Sequence, residues 1–302
     1  MIKRTLYFGN PAYLKTKNEQ LIVELTATDE VKTAAIEDIG VLILDHQQIT
    51  ITHAVIAKLL ANNVALITCD ERHHPTGMLL NLDGHTLQSQ RFQYQLEASM
   101  PLKKQLWQQT VMAKIVNQAN LLALYRIQNK TLVNLVSKVK SGDADNCEAQ
   151  AAAYYWKNVF PLFPNFKRFR EGDPPNNLLN YGYAVLRAVV ARSLVGSGLL
   201  PTLGIFHRNQ YNAYCLADDM MEPYRPYVDK TVYDIVRNNG HFLEITPVMK
   251  QQLLGIPAMD VVIDEEKSPL MNAVQRTTAS LAKCFEGKSR KLLFPELSTS
   301  FG

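Results

Sequence analysis

The spacing of apolar residues changes near residue 85 and divides the chain into two regions. Up to about residue 82, short runs of β-branched and aromatic residues are separated by turn sequences such as Gly9-Asn10-Pro11, a pattern that predicts a sheet. Val41-Leu42-Ile43-Leu44 is apolar throughout, as expected of a central strand. One helix is predicted over residues 52–61, with Thr50 as its cap. The predicted strands cover residues 4–10, 12–17, 20–26, 32–37, 41–44 and 65–69.

From residue 88 onward, the apolar residues recur with the period of an α-helix. The predicted helices cover residues 88–127, 129–140, 146–159, 177–198, 210–221, 227–238, 246–254 and 268–286. Almost no strand pattern occurs in this part of the sequence. We therefore predict an α+β protein, with a β-rich domain over residues 1–85 and a larger all-α domain over residues 86–302.

The composition is that of an ordinary globular protein without a membrane segment. Apolar residues make up 47% of the 302 residues and charged residues 20%, which argues against disorder. The apolar stretch 185–200 is interrupted by Arg187 and Arg192, whereas a spanning helix needs about 20 nearly uncharged residues. The N-terminus has no apolar signal core, so we expect a cytoplasmic protein that contacts no membrane. The four cysteines form no CxxC pair, so we expect reduced thiols.

Charge is distributed unevenly between the two regions. Residues 1–85 carry 7 basic and 10 acidic side chains, whereas residues 86–302 carry 25 and 18. Residues 98–142 contain seven Lys and Arg but no acid, and a face of one sign favours contacts with phosphate. The alternative for residues 98–142 is that some of these charges only solubilise the protein. A second short basic run, residues 165–170, is interleaved with Phe, and its alternative interpretation is a loop that its Phe side chains anchor to the core. The expected nucleic-acid contacts are Lys103, Lys104, Lys114, Lys167, Arg168 and Arg170.

Two isolated residues of the second region are candidates for chemistry. Glu148 falls in the first turn of a helix that Asp145 or Asn146 is expected to cap, where the helix dipole stabilises a carboxylate. His207 follows an apolar run at the start of a loop, a common place for a functional imidazole. A capping carboxylate and a structural histidine are the alternative interpretations of these two residues.

A third segment concentrates acids. Asp218, Asp219 and Glu222 fall within about one helical turn, where like charges repel, so we expect a cation or Arg225 to compensate them. A set of carboxylate and imidazole ligands suits Mn²⁺ and also accepts Mg²⁺. Sequence spacing alone does not establish that the segments converge. The candidate ligands are Glu148, His207, Asp219 and Glu222.

Four motifs of this region occur together in the order and spacing of a known family. They are Glu148-Ala-Gln-Ala-Ala-Ala-Tyr-Tyr-Trp, Asn177-Leu-Leu-Asn-Tyr-Gly-Tyr, Gly198-Leu-Leu-Pro-Thr-Leu-Gly-Ile-Phe-His207 and Leu216-Ala-Asp-Asp-Met-Met-Glu-Pro-Tyr-Arg-Pro-Tyr-Val-Asp229. With these motifs the chain resembles the CRISPR-associated integrase/endonuclease, the catalytic subunit of the spacer-acquisition complex, and most of all its type II branch. The resemblance covers nearly the whole chain, because the β pattern of the first region also fits.

The resemblance implies a β-sandwich-like N-terminal domain that mediates dimerisation, followed by a helical catalytic domain. It implies a catalytic Mg²⁺ or Mn²⁺ held by Glu148, His207 and Glu222, although many members of the family have Asp at the last position. It also implies that a prespacer 3′-hydroxyl attacks a phosphodiester at the border of a CRISPR repeat. The implied partners are double-stranded DNA, a second copy of the chain, a small ferredoxin-like subunit and, in type II systems, the effector nuclease and a ring-shaped accessory protein.

Several residue roles and two other functions stay open at this point. Arg225 can orient Glu222 or contact phosphate, and Asp219 can assist the ligands. Asn180 and Tyr183 can position a DNA end or pack in the core. A non-catalytic DNA-binding or architectural protein would not need the candidate ligands, whereas a metal-dependent nuclease would cleave DNA without joining it.

Overall fold

The computed structural model describes residues 3–28, 30–71, 73–164, 166–169, 172–240, 242 and 244–300. It confirms the predicted α+β class, in which a strand-rich N-terminal region precedes a larger helical region. Within these residues, two four-stranded sheets and a helix form the strand-rich region. No helix in the described residues has both the length and the apolar character that crossing a membrane requires.

Strands and helices are numbered here in chain order. The strands are β1 (Arg4–Phe8), β2 (Ala12–Lys17), β3 (Gln20–Leu25), β4 (Glu30–Ala35), β5 (Ile39–Leu44), β6 (Ile49–Ile51), β7 (Ala65–Cys69), β8 (Pro75–Leu79), β9 (Asp260–Ile263), β10 (Glu266–Pro269) and β11 (Pro295–Glu296). The helices are α1 (His53–Ala61), α2 (Gln88–Glu97), α3 (Met100–Leu124), α4 (Lys130–Val136), α5 (Cys147–Asn158), α6 (Asn176–Gly196), α7 (Cys215–Met221), α8 (Arg225–Asn239), α9 (Pro247–Leu254) and α10 (Leu270–Phe285). A 3₁₀ turn, Glu222–Tyr224, joins α7 to α8.

The N-terminal region is a sandwich of two sheets. The first sheet has the order β1-β5-β7-β8, in which β1, β5 and β7 run parallel and β8 is antiparallel to β7. The second sheet has the order β4-β3-β2-β6, with antiparallel β2, β3 and β4 and with β6 parallel to β2. Leu14 and Leu21 of the second sheet share an apolar core with Leu42 and Leu66 of the first, and α1 contributes Leu59. The apolar segment 41–44 lies in β5, a central strand as predicted.

The first sheet is also a middle layer, because successive residues of a strand point to opposite sides. Leu42 and Leu66 face the sandwich, whereas Val41, Ile43 and Ile67 belong to the apolar core of the helical region. Helix α6 lies against this second side of the sheet. The two regions therefore share an interface, and the strand-rich region would expose an apolar face without the helices.

Several elements differ from the sequence-based expectations. Thr50 lies in β6 and does not cap α1, whose N-cap position is Thr52. The helix predicted over residues 88–127 is divided, because Oγ of Ser99 accepts a hydrogen bond from the N–H of Leu102 at 3.4 Å and begins α3 as a new helix. A small sheet of order β10-β9-β11 lies within the helical region. Its strands have at most four residues, too few for a periodic pattern to reveal.

A buried ion pair joins the two regions. The Asp45 side chain is fully buried after β5, and Nζ of Lys250, on α9, donates to its carboxylate at 2.8 Å. Tyr7 Oη donates to the same carboxylate at 2.5 Å, and His73 Nδ1 lies 2.9 Å from it. Burial would raise the pKa of Asp45, but the hydrogen bonds from Lys250, Tyr7 and His73 outweigh burial and lower the pKa below its ordinary value. Asp45 therefore stays ionised at the interface.

We expect Lys250→Met to destabilise the protein by about 3 kcal/mol, because it leaves a buried carboxylate without its counter-ion. Urea unfolding of the full chain at pH 7 measures this loss. The double variant Asp45→Asn/Lys250→Met should lose less stability than the two single variants added together, since the residues are in direct contact.

The stabilisation by this ion pair depends on pH, because the pKa of Asp45 is lower in the folded than in the unfolded protein. The stabilisation is present above the pKa of the unfolded state and is lost as the pH falls through the pKa of the folded state. A loss that stays the same from pH 7 down to about pH 3 would contradict the assignment.

Candidate active site

The first turn of α5 holds Glu148, and Asp143 caps this helix in place of the predicted Asp145 or Asn146. Asp143 Oδ1 accepts a hydrogen bond from the N–H of Cys147 at 2.8 Å, and Oδ2 accepts one from the N–H of Glu148 at 3.0 Å. Asn146 occupies the N-cap position, but its φ of 53° is left-handed and its side chain makes no cap hydrogen bond. An N-cap side chain normally bonds from extended backbone, so this conformation leaves the role to Asp143.

The loop between α6 and α7 holds His207, and Asp219 of α7 fixes that loop. The Asp219 carboxylate accepts hydrogen bonds from the N–H groups of Ile205, Phe206 and His207 at 2.7, 3.0 and 3.3 Å. It also lies 2.5 Å from Nδ1 of His207, which leaves Nε2 as the ring nitrogen that can bind a ligand. Gly204 permits this close packing, because a Cβ there would lie 2.3 Å from the backbone oxygen of His207.

The three acids of the third segment have different partners, so they do not form one repelling cluster. Asp218 Oδ1 lies 2.7 Å from Nε of Arg187. Glu222 Oε1 accepts a hydrogen bond from Nε of Arg225 at 2.8 Å, which is the compensation predicted for Arg225. Asp219 faces the His207 loop. The structure therefore places Asp219 behind the imidazole and leaves Glu222 as the acid nearest to Arg225.

A buried ammonium group brings Glu148 and Glu222 together. Nζ of Lys114, on α3, lies 2.6 Å from Glu148 Oε1 and 2.6 Å from Glu222 Oε2. The Lys114 side chain is 11% exposed. The prediction that Lys114 belongs to a solvent-exposed phosphate-binding face is therefore wrong, because two carboxylates enclose its charge.

These contacts set the charge states of the site. Burial would raise the pKa of Glu222, but the charges of Arg225 and Lys114 outweigh burial and lower the pKa to about 2. Burial would lower the pKa of Lys114, yet attraction by Glu222 and Glu148 raises it. The hydrogen bond to Asp219 raises the pKa of His207. At neutral pH the site therefore holds an ionised Glu222 beside a protonated Lys114.

The donor atoms of the site suit a divalent cation, although they are not closed around one. In the residues that the structure describes, no three His, Cys, Asp or Glu side chains are arranged to hold a metal ion. Glu222 Oε2 is buried and has no hydrogen bond of good geometry with any described residue, although Lys114 Nζ lies 2.6 Å away. Such an oxygen is an available metal ligand if the ammonium moves away from it. Glu148, Glu222 and Nε2 of His207 offer carboxylate and imidazole donors, which Mn²⁺ and Mg²⁺ accept.

Other predicted site residues lie around the ring of Tyr183. Tyr183 is buried, and its Oη donates to Asp229. The guanidinium groups of Arg225 and Arg168 lie 4.6 and 5.3 Å from the centre of its ring. Arg168 Nη2 also donates to Asn180 Oδ1 at 2.6 Å. Tyr183 therefore supports two arginines near Glu222 from within the core, and the half-buried Asn180 holds Arg168.

The remaining predicted DNA contacts have different positions. Arg170 lies outside the described residues. Lys103, in the first turn of α3, is close to Arg208, which follows His207; burial lowers the pKa of Lys103, and the charge of Arg208 lowers it further. This pair puts positive charge next to the His207 loop. The structure leaves three of the predicted bases at or near the surface: Lys103, Lys104 and Lys167.

Sequence reasoning missed the roles of Asp143 and Trp107 and misplaced Lys114. Trp107 packs face to face with Phe206, at 4.2 Å between ring centres, and supports the His207 loop. A signal for Lys114 was present, because Lys114 follows Trp107 by seven positions and these spacings lie on one face of a helix. A charged residue on the buried face of a helix indicates a buried partner of opposite sign.

Comparison with known proteins identifies the family. The sequence profile described as "CRISPR associated protein Cas1" matches residues 6–243. The chain belongs to the Cas1 family. A relative from Neisseria meningitidis serogroup C (strain 8013), the CRISPR-associated endonuclease Cas1, is 36% identical over 305 residues, which cover 98% of this chain and 97% of the relative. The family resemblance inferred from the four motifs is thereby confirmed.

Solved structures share the fold of this Cas1-family chain. "Casposase bound to integration product" aligns with a TM-score of 0.78 and 19% identity, over 97% of this chain and 92% of that chain. "Cas6-RT-Cas1--Cas2 complex" aligns with a TM-score of 0.76 and 20% identity, over 98% of this chain and 36% of that longer chain. At these identities the similarity establishes the shared architecture of both regions.

We expect Asp219→Asn to lower the pKa of His207 towards its ordinary value of 6.5, because the variant removes the negative charge beside Nδ1. NMR titration of the imidazole in metal-free protein measures this pKa. Asp218→Asn is the matched control, since the neighbouring carboxylate pairs with Arg187 and should leave the pKa of His207 unchanged. An unchanged pKa in Asp219→Asn would show that Asp219 does not control the imidazole.

Proposed function

We propose that this chain is the catalytic subunit of CRISPR spacer acquisition, a metal-dependent DNA endonuclease and integrase. The observation that carries the proposal is the convergence of Glu148 and Glu222 on one buried ammonium, within electrostatic range of His207, in a Cas1-family chain. The names of its relatives support nuclease and integrase chemistry, since one is an endonuclease and another is a casposase bound to an integration product.

In this proposal Glu148, His207 and Glu222 hold a Mg²⁺ or Mn²⁺ ion, which when bound polarises a phosphoryl oxygen and assists loss of the proton from the attacking hydroxyl. Asp219 accepts a hydrogen bond from the Nδ1–H of the neutral imidazole, which leaves the Nε2 lone pair free to bind the ion. Arg225 holds the Glu222 carboxylate through the 2.8 Å contact of its Nε. His207 and Glu222 are therefore preorganised by partners that take no part in the bond changes.

The proposed nucleophile is the 3′-hydroxyl of a prespacer strand, and its target is a phosphodiester at the border of a CRISPR repeat. A bond forms from the 3′-oxygen to phosphorus, the bond from phosphorus to the 3′-oxygen of the repeat strand breaks, and that oxygen leaves as a new hydroxyl. The number of phosphodiesters stays constant, so the exchange needs no external energy source. With water as the nucleophile, the same groups would cleave the strand.

The proposed partners are double-stranded DNA and a small ferredoxin-like subunit. The likeness to a chain of a structure titled "Cas6-RT-Cas1--Cas2 complex" supports a second protein subunit as a partner. We extend the proposal to the type II effector nuclease and the ring-shaped accessory protein on the basis of the type II resemblance alone. The excess of Lys and Arg in residues 86–302 supports binding of a polyanion by the helical region.

We also propose that the chain works as a homodimer assembled through its strand-rich region. This region has more acidic than basic side chains, so it is poorly suited to hold DNA. Strand β4 lies at the edge of the second sheet and exposes Val31, which a second copy would cover. We expect the full chain to form this dimer, because the first sheet needs the helical region to cover its second apolar face.

We expect Glu148→Ala, His207→Ala and Glu222→Ala each to reduce joining by at least about 100-fold, because each removes a proposed metal ligand. The assay joins a labelled oligonucleotide with 3′-hydroxyl ends to a supercoiled plasmid that carries a repeat, with the small subunit present. Mn²⁺ should support joining at least as well as Mg²⁺, because one ligand is an imidazole nitrogen. An oligonucleotide with 3′-deoxy ends is the substrate control. Full joining by a folded Glu148→Ala variant would contradict the site, and cleavage without joining by the unmodified chain would indicate a nuclease only.

We expect Lys103→Glu/Lys104→Glu to weaken binding of all DNA sequences, because Lys103 lies near Arg208 at the His207 loop, Lys104 is exposed in the same turn of α3, and both would contact phosphates. The slope of log K against log salt should become shallower by up to about 0.9 for each lost contact. Lys267→Glu/Lys288→Glu is the matched control, since it changes the net charge equally at two exposed lysines elsewhere in the helical region. Equal slopes for both double variants would show that Lys103 and Lys104 are merely solvated.

A further inference from the structure

Lys114 occupies the place that the proposed metal ion would need. Its ammonium contacts Glu148 Oε1 and Glu222 Oε2, each at 2.6 Å. Glu222 Oε1 is already held by Arg225, so Oε2 is the Glu222 oxygen that faces the site. An ammonium and a divalent ion cannot share these two oxygens, because like charges a few ångströms apart in a poorly solvated site repel strongly. Metal binding therefore requires the ammonium to move.

A cavity beside the site offers a second position for the ammonium. It has a volume of about 120 Å³, and its lining includes Lys114, Glu222 and Gln118 and also Arg168 and Arg225. Gln118 follows Lys114 by one turn of α3, so the two side chains lie on the same face of the helix. Gln118 is 3% exposed, and its buried Oε1 has no hydrogen-bond partner among the residues that the structure describes. A buried acceptor of this kind is costly unless a donor reaches it in some state of the protein.

The other acid of the cavity is not a competing acceptor. Asp229 lines the same cavity, but its carboxylate accepts hydrogen bonds from Tyr155 and Tyr183. The two arginines around Tyr183 already supply positive charge on that side. The neutral oxygen of Gln118 is therefore the acceptor that a displaced ammonium would meet without disturbing another ion pair.

We propose that Lys114 is a displaceable internal cation with two positions. In the metal-free protein its ammonium pairs with Glu148 and Glu222 and keeps their charges compensated. When a divalent ion occupies the site, the ammonium turns into the cavity and donates to Oε1 of Gln118. This inference rests on the proposed metal-dependent function and makes Lys114 a positioning residue that sets how tightly the site holds its metal.

Two opposite effects of removing Lys114 follow from these positions. The metal-free protein loses the counter-ion of two carboxylates, so its melting temperature in EDTA should fall. Mn²⁺ no longer competes with the ammonium, so its dissociation constant should decrease by about tenfold, a typical coupling between groups in direct contact. A residue that only supports the ligands would instead lower stability and weaken metal binding together.

The experiment measures Mn²⁺ binding to the full metal-free chain by calorimetry, together with melting temperatures in EDTA and in Mn²⁺. The variants are Lys114→Met, Gln118→Leu and their combination. Lys114→Met should melt lower in EDTA and bind Mn²⁺ more tightly than the unmodified chain. Gln118→Leu should weaken Mn²⁺ binding when Lys114 is present and have no effect when Lys114 is Met. Lys157→Met, at an exposed lysine of α5, is the matched control and should change none of these values.

Equal or weaker Mn²⁺ binding by Lys114→Met would overturn the displacement while leaving the proposed metal site intact. An equal effect of Gln118→Leu in both backgrounds would overturn the second position of the ammonium. Failure of the unmodified chain and of every variant to bind Mn²⁺ would overturn the metal site itself, and with it the displacement. If Lys114→Met does not fold, Lys114→Gln makes the same comparison, because it also removes the charge while keeping a side chain of similar length.

Discussion

Two ionised carboxylates can be placed close together inside a protein only if positive charge lies between or beside them. Lys114 and Arg225 supply that charge for Glu148 and Glu222, and each comes from a different part of the helical region. Helix α3 carries Lys114 into the core, α5 begins at the turn that holds Glu148, and the 3₁₀ turn after α7 carries Glu222. The packing of these elements therefore depends on the same charge pairs that set the electrostatics of the site.

The imidazole of the site is positioned by a different interaction. One buried carboxylate, that of Asp219, binds three successive N–H groups of the loop and the ring of His207. Gly204 allows the loop to approach this carboxylate, and Phe206 packs on Trp107 of α3. Loop backbone and side chain are thus ordered together. An imidazole held in this way pays little additional ordering entropy when it binds a ligand.

The strand-rich region is structurally coupled to the helical region despite its different composition. In its first sheet, Leu42 packs in the core of the sandwich and the adjacent Ile43 packs in the core of the helical region. The Asp45–Lys250 ion pair crosses the same boundary. A boundary near residue 85 therefore marks a change in pattern and charge, while the apolar core is continuous across it.

The sequence by itself determined the order of the two regions and several elements, because strand and helix periods are local properties. Strands β2 and β7 match the predicted segments 12–17 and 65–69. The motif spacing also identified Glu148, His207 and Glu222 as candidates, and the family resemblance that it carried is confirmed. Short strands such as β9 and β11 were not predicted, since a few residues are too short to show a periodic pattern.

Only the tertiary structure decided which charges meet. In the sequence, Lys114 is one of seven bases in a stretch without acids, which suggested a phosphate contact. In the structure it contacts Glu148, which is 34 positions away in the chain. Asp143 replaces the predicted cap, because the backbone of Asn146 is left-handed and its side chain makes no cap hydrogen bond. Partners of this kind depend on how helices pack and on single backbone torsions. Neither is encoded in the local pattern of apolar and polar positions, because that pattern records which face is buried and not what it is buried against.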